Sequence, residues 1–305
     1  LKGTRHMSEM LELTLSYDGN DANNHEIDLY DVSQALIGFQ RTLALTTHLV
    51  LNNKIITQAP ALKNAKILAS PAEEGSWKIK AGVVLTGAYL ATTIPQNTVL
   101  GHVVFSLYDY VVSESLGFHV DFNKSLGKLY EENQVNNLNV PIIKQHQADS
   151  LIEKCSTAIK EIHRPIFKTE SATSASITAK LGNSIKPINS NFSLDSYNYI
   201  DQFFINTVPS IIKGRISSYN SNTFKGRIYS VKEGRPISFE LQASAKGDYS
   251  LQLIIASLSA YTRNNFDDEW IDLYCVVQTI TSRSGQLKSY KITSIGHDTT
   301  SLITQ

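Results

Sequence analysis

Between Ala81 and Tyr108 the chain carries no Asp, Glu, Lys or Arg. An uncharged run of that length belongs out of water, in a core, against another chain or in a bilayer. A membrane span needs about 20 mostly apolar residues in succession, and here Thr92, Thr93, Pro95, Gln96, Asn97 and Thr98 interrupt the run. The pieces on either side are about a dozen residues each, the size of core segments. Trp77, Ile79, Ala81 and Val83 fall on alternate positions and predict a strand over Trp77 to Leu85. Leu85 to Ile94 reads as a short helix that Pro95 ends, because the residue before a proline is pushed out of helical geometry. Val103, Leu107 and Tyr110/Val111 recur at helical spacing and predict a second helix from Val99 to Leu116.

The 305 residues are enough for two domains. Lys+Arg and Asp+Glu are both 28, so the whole chain has no bias of charge. The halves differ, however. Met7 to Ser150 holds 15 acidic and 9 basic side chains, a balance of −6, and Ser210 to Ile295 holds 11 basic and 7 acidic, a balance of +4. That asymmetry directs the search for a polyanion surface to the C-terminal part. Cys155 and Cys275 stand far apart and in no metal or redox spacing, so both are expected to be buried small hydrophobes. Leu1 to His6, ahead of Met7, reads as a tag remnant, and with no targeting segment in view a cytoplasmic protein is expected.

Leu11 to Tyr17 alternates and predicts a half-buried strand. Asp28 or Asp31 is placed to cap a helix, and Val32, Ala35/Leu36, Phe39, Leu43 and Val50 carry that helix from Asp31 to Leu51. Ala65 to Ser70 predicts a short strand before Trp77. Phe118 to Pro141 is polar and Asn-rich, with a short helix expected over Ser125 to Glu132. Gln145 to His163 carries Ala148, Ile152, Cys155 and Ile159/Ile162 on one face, a second amphipathic helix. The expected organisation is an α+β assembly module over 7–168, a polar linker or edge strands over 169–209, and a small C-terminal β-barrel over 210–305.

The barrel region is the more distinctive. Lys213-Gly-Arg-Ile216 recurs twelve residues later as Lys225-Gly-Arg-Ile228, with Asn220-Ser-Asn222 as the turn between. Strand alternation puts Lys213, Arg215 and Ser217, and likewise Lys225, Arg227 and Tyr229, opposite the apolar positions. Arg235-Pro236 leads into a third strand, Tyr249 to Thr262 is a helix, and Ile271 to Thr281 with Leu287 to Ile295 forms a closing hairpin around Ser284-Gly285. Short strands with internal Gly and one helix suggest a barrel of SH3-like or OB-like type. Six cations, Lys213, Arg215, Lys225, Arg227, Lys232 and Arg235, fall within 23 residues against one acid, Glu233. With Tyr229 and Tyr219 beside them, Lys213, Arg215, Lys225, Arg227 and Arg235 are the candidate residues for binding nucleic acid or a nucleotide by charge and stacking. The alternative is a solvated face whose cations pair with Asp267, Asp268, Glu269 or the acidic N-terminal module.

Catalytic signatures do not emerge. There is no Gly-x-x-x-x-Gly-Lys-Ser/Thr, no Gly-x-Gly-x-x-Gly after a strand and no Gly-x-Ser-x-Gly. Asp18, Asp21, His25, Glu26, Asp28 and Asp31 form the densest polar cluster and have the oxygen ligands a divalent cation takes, but turns and a helix cap call for the same residues. No metal site and no cofactor are therefore expected. His163-Arg164 at a helix end favours the helix dipole.

Tyr17-Asp-Gly, the long helix from Asp31, the Glu74-Gly-Ser-Trp77 turn and the Lys-Gly-Arg-Ile barrel together resemble uncharacterised bacterial proteins of domain-of-unknown-function type that occur beside phage-defence genes and mobile elements. The resemblance covers the order of elements and carries over no site residue. It implies a cytoplasmic defence or accessory protein acting in a complex. Three functions stay open from the residues: a non-enzymatic oligomerising or binding protein, an enzyme on nucleic acid or a nucleotide with a dispersed site, and a membrane-associated effector using 75–112. The first is the leading expectation, with a second copy or a protein partner, or an anionic ligand, as its target and membrane contact disfavoured.

Overall fold

The computed structural model describes residues 9–71, 77–89, 94–127, 129–130, 141–182, 184–201, 203–263, 270–281 and 287–302. It divides into two compact units, Leu1–Lys144 with Lys154–Tyr197, and Gln145–Glu153 with Asn198–Gln305.

The first unit is built on an antiparallel sheet. Its strands are β1 (Glu9–Asp18), β2 (Ala65–Pro71), β3 (Trp77–Leu85), β4 (Ser174–Leu181) and β5 (Ser184–Pro187), in the order β2-β3-β1-β4-β5, with the two-residue β6 (Phe192–Ser193) also on β4. Strand alternation turns Leu11, Leu13, Leu15 and Tyr17 of β1 to one face, where all four are buried. Helices α1 (Leu29–Asn52) and α2 (Ile94–Ser115) pack against the sheet and each other. The Asp28 carboxylate caps α1 by accepting from the Asp31 N–H at 2.9 Å, and the stripe Val32, Ala35, Phe39 and Leu43 faces inward.

The described part of the charge-free run is the core of this unit. Val83, Leu85, Leu100, Val103, Val104, Leu107 and Tyr108 are all buried. One local expectation is reversed. Of Leu85 to Ile94, residues 85–89 hold a 3-10 turn at Gly87–Tyr89 and residues 90–93 lie outside the described ones, while Pro95 stands in the first turn of α2. Proline suits that position, since the first helical N–H groups have no partner within the helix and the fixed φ is already helical. The short helix expected over Ser125 to Glu132 is a π turn at Asn123–Gly127, and most of its remainder lies outside the described residues. Among the described residues no helix is long and apolar enough to cross a membrane.

Helix α3 (Gln145–Ile162) contributes its first nine residues to the second unit and the rest to the first. The short α4 (Arg164–Phe167) follows it. The stretch expected to be a linker or edge strands contains β4, buried through Ala175, Ile177 and Ala179 and paired on both sides, then β5, β6, α5 (Leu194–Asp201) and the two-residue β7 (Phe204–Ile205).

The second unit is a closed barrel of five strands, β8 (Ser210–Asn220), β9 (Lys225–Ser230), β10 (Arg235–Leu241), β11 (Leu273–Thr281) and β12 (Leu287–Gly296). Neighbours run β12-β10-β9-β8-β11, and pairing of β11 with β12 closes the ring. All pairs are antiparallel except β10 with β12. Ile216, Ile228, Ile237, Leu253, Cys275 and Ile292 fill its interior. Helix α6 (Asp248–Thr262) packs on β8 and β12. It is not the only helical part of this unit, which also takes a 3-10 turn at Ala243–Ala245 and residues 145–153 of α3.

Candidate functional site

The sequence repeat becomes the β8–β9 hairpin. Its register sets Arg215 opposite Tyr229 and Ile216 opposite Ile228, so Lys213, Arg215, Tyr229, Arg227 and Lys225 share the outer face and the isoleucines point inward. The glycine in each Lys-Gly-Arg-Ile copy has a steric reason. A Cβ at Gly214 would stand 2.5 Å from the Tyr229 carbonyl oxygen, and one at Gly226 2.1 Å from that of Ser218, beside the bulge between Ile216 and Ser218.

Each of the six candidate residues has a defined neighbour. Lys213 Nζ lies 3.4 Å from Asp272 Oδ2, and Arg215 Nε 4.0 Å from Asp272 Oδ1. The Arg215 guanidinium stands 4.9 Å over the Tyr229 ring, and the Lys213 ammonium 5.8 Å over Tyr274. Lys225 pairs with Glu240 at 3.8 Å, and Arg235 donates to the Leu287 carbonyl at 3.1 Å. Of the acids expected as partners, Asp267, Asp268 and Glu269 lie outside the described residues.

Arg227 departs from the expected solvated face, being only 4% exposed. Its Nε is 3.5 Å from Asp149 Oδ1, its Nη2 donates to the Pro236 carbonyl at 3.0 Å and its Nη1 to Ser238 Oγ at 3.3 Å. Ser217 Oγ donates to Asp149 Oδ2 at 2.9 Å, and Ser238 Oγ to Glu153 Oε1 at 2.8 Å. The first turns of α3 cover this part of the outer face, so alternation alone does not make it solvent. Tyr261 belongs to the same cluster, 3.4 Å from Gln145 Oε1, and burial first, then the Asp149 charge, pushes its hydroxyl up to about 12. Strand period finds the face of Arg227 and Ser217 but not Asp149 and Glu153, because the acids stand on a helix about eighty residues earlier in the chain.

A different surface stands open. Between Asp201 and Lys213 there is no charged residue, and every described position from Phe203 to Ile211 is exposed. Phe203 is 54% exposed, Phe204 60%, Val208 69% and Ile211 55%. β7 pairs with the end of β11, Ile205 opposite Ile280 and Phe204 opposite Thr281, and the Asn206 N–H donates to the Thr279 carbonyl at 2.9 Å. That bond fixes the direction of the backbone. In an antiparallel ladder the hydrogen-bonding side alternates, so with Asn206 turned to β11 the Ile205 amide and carbonyl point away from it. Among the described residues no strand pairs with β7 on that side. β9 begins to pair with β8 only from Gly214, after the Val231 N–H has reached the Lys213 carbonyl. The result is an apolar sheet edge with open backbone groups. The sequence signal was the missing charge itself, set among residues without a clear period.

The comparisons with known proteins match both units. Residues 13–201 match the model of a domain of unknown function (DUF7946), and residues 209–296 that of a family of unknown function (DUF7947). The chain belongs to the DUF7946 family. No curated protein and no solved structure matches it. Neither description names phage defence or mobile elements. The DUF7947 match leaves out residues 145–153, the segment that covers Arg227.

Several other polar groups singled out in the sequence are held by local structure. In the N-terminal acidic cluster Asp28 is the α1 cap, and Asp31 is buried against Arg164, whose Nε lies 2.9 Å away. Among the described residues no three His, Cys, Asp or Glu side chains converge as metal ligands. Cys155 and Cys275 are both buried, and burial pushes each thiol up to about 12, which removes thiolate reactivity. His163 is buried rather than an exposed partner of a helix end. Its Nδ1–H donates to the Ile159 carbonyl at 3.0 Å, so Nε2, 2.9 Å from Ser196 Oγ, is the acceptor of the neutral ring. Burial lowers its pKa to about 4.

Proposed function

We propose that this protein acts by binding a protein partner and that its barrel is the contact module, of SH3-like or OB-like kind, with the open edge at 203–211 as the contact. One observation carries the reading: a charge-free edge strand whose outward amide and carbonyl at Ile205 are flanked by exposed Phe203, Phe204, Val208 and Ile211. Strand addition at such an edge takes affinity from main-chain hydrogen bonds and selectivity from alternate side chains. The test uses a synthetic peptide with the sequence of residues 203–212, an extended apolar strand of the right length. Binding with slowed amide exchange at Ile205 and Thr207 is expected in the full-length chain. Exchange that is unchanged at saturating peptide, in a chain diluted until its own Ile205 and Thr207 amides exchange freely, overturns the reading. A setting in phage defence is part of this proposal and rests on the resemblance alone.

A second reading has its own observation. The stacked pairs Arg215–Tyr229 and Lys213–Tyr274 form a cation–aromatic ladder that suits a nucleotide or single-stranded nucleic acid. Against it, Asp272 stands beside both cations and Asp149 takes Arg227. Titrating a labelled oligonucleotide at low and high salt tests it. Salt-sensitive binding lost in Arg215→Glu supports the ladder as the site, and no binding at low salt removes it.

A further inference from the structure

We infer that the partner at this edge is a second copy of the same chain, joined by antiparallel pairing of the 203–207 segments about a two-fold axis. The inference rests on the reading of 203–211 as a contact surface and names its occupant. Three features select this occupant over another protein. The first is self-complementarity. A two-fold places Ile205 of one copy near Ile205 of the other, so the outward amide and carbonyl of each meet the same pair of groups on its mate. The second is charge. The segment itself has no ionised side chain between Asp201 and Lys213, and the Lys288 ammonium, 5.9 Å from the Phe203 ring, is held by the Ile200 carbonyl, so two identical edges meet with little repulsion.

The third feature is area. Phe203, Phe204, Ile205 (37% exposed), Val208 and Ile211 offer about 500 Å² of surface per copy, so a symmetric contact that covers all five removes at most about 1,000 Å² in all, near the lower bound for a specific interface. Closure follows from topology. Among the described residues β7 has a strand, β11, on one side only, so each copy has one open edge there, and a single two-fold contact uses both. The product is a closed dimer, not a fibre. Pro209 supports the same limit, because it has no N–H to extend the pairing towards β8.

The experiment is light scattering after size exclusion on the full chain across a dilution series, with amide exchange read at the two ends of the series. The expected mass is twice that of the chain at high concentration. Protection at the Ile205 and Thr207 amides should fall on dilution together with the mass. Phe204→Lys combined with Val208→Lys is expected to weaken dimerisation by about 100-fold or more, with the circular dichroism spectrum and the amide exchange of the barrel core unchanged. Ile205→Pro, which removes the outward N–H together with the isoleucine side chain, is expected to act in the same direction. A chain that stays monomeric up to its solubility limit overturns the dimer, as does a dimer that persists in the double lysine variant with the 203–207 amides exposed. A monomer that still binds the 203–212 peptide at Ile205 and Thr207 shows that the edge accepts a strand from a different protein. In that case the choice of occupant fails and the contact reading survives.

Discussion

Residues 81–108 and residues 202–212 both lack Asp, Glu, Lys and Arg, yet they meet opposite environments. The described part of the first is closed off in the α+β unit, where Val83, Leu85, Val103 and Leu107 have no exposed surface. The second is exposed along the barrel edge from Phe203 to Ile211. The difference lies in the backbone partners. β3 is hydrogen-bonded on both sides, by β2 and β1, and α2 satisfies its own amides. Among the described residues β7 is bonded on one side only. Lack of charge thus marks a segment meant to leave water, while the hydrogen-bond ladder says whether the chain itself has completed the burial.

The sharpest way to break this comparison is to place a charge in each run. Val103→Lys puts an ammonium at a fully buried position of α2, with a desolvation cost of several kcal/mol. That is a large part of the 5–15 kcal/mol typical of a whole domain. The expected outcome is loss of the cooperative unfolding transition of the first unit, or an insoluble product. A variant that unfolds at the parent denaturant midpoint would mean that the run is not sealed.

Arg227 tests the same rule from the other direction, as a charge the fold does bury. Arg227→Ala leaves the Asp149 carboxylate buried without its counter-ion, and a loss of about 3–5 kcal/mol is expected in urea unfolding. Removing both charges in Arg227→Met with Asp149→Leu should recover most of that loss. If the double variant is no better than Arg227→Ala, packing of the guanidinium against Pro236 and Ser238 matters more than its charge.

Much of the fold was legible because side-chain period survives burial on one face. The strands Leu11–Tyr17, Trp77–Leu85 and Lys225–Ile228 and the helices from Asp31, Val99, Gln145 and Tyr249 lie where alternation or helical spacing places them. What was illegible depends on contacts remote in sequence. The strand β4, Ser-Ala-Ser-Ile-Thr-Ala-Lys-Leu, alternates small residues too weakly to tell a linker from a strand, and its pairing with β1 supplies the distinction. The parallel β10–β12 pair within the ring joins segments about fifty residues apart. Pro95 has two helical meanings, end or beginning, and only the position of Ile94 decides between them. For the candidate site, the shared face of Lys213, Arg215 and Tyr229 was legible from strand period, whereas the burial of Arg227 under Asp149 was not.

His163 gives a smaller effect and a pH signature. Burial holds its folded pKa at about 4, below the 6.5 ordinary for histidine. Above pH 6.5 the ring is neutral in both states and contributes no slope. Below it the unfolded chain takes up a proton that the folded chain refuses, so stability falls with pH until about pH 4, by about 3 kcal/mol in total. Urea midpoints measured from pH 7 to pH 4 should therefore decline more steeply in the parent than in His163→Gln. Equal slopes would place the ring in contact with water.

The smallest stability change is expected where the charge-free run is exposed. Val208 is 69% exposed, so Val208→Lys adds an ammonium to a position already in water. Surface substitutions of this kind stay within about 0.5 kcal/mol, provided that unfolding is measured at a concentration where the chain is monomeric. At higher concentration the parent gains stability from association by mass action and the variant does not, so the two unfolding midpoints should separate as the protein is concentrated. The dilute and concentrated measurements thus answer different questions. Coincidence when dilute confirms that the fold does not need Val208 to be apolar. Separation when concentrated shows that a second chain does. Coincidence at both concentrations would leave residues 202–212 as a charge-free run that is never covered by a second copy, and the contrast with residues 81–108 would then reflect composition rather than an unfinished interface.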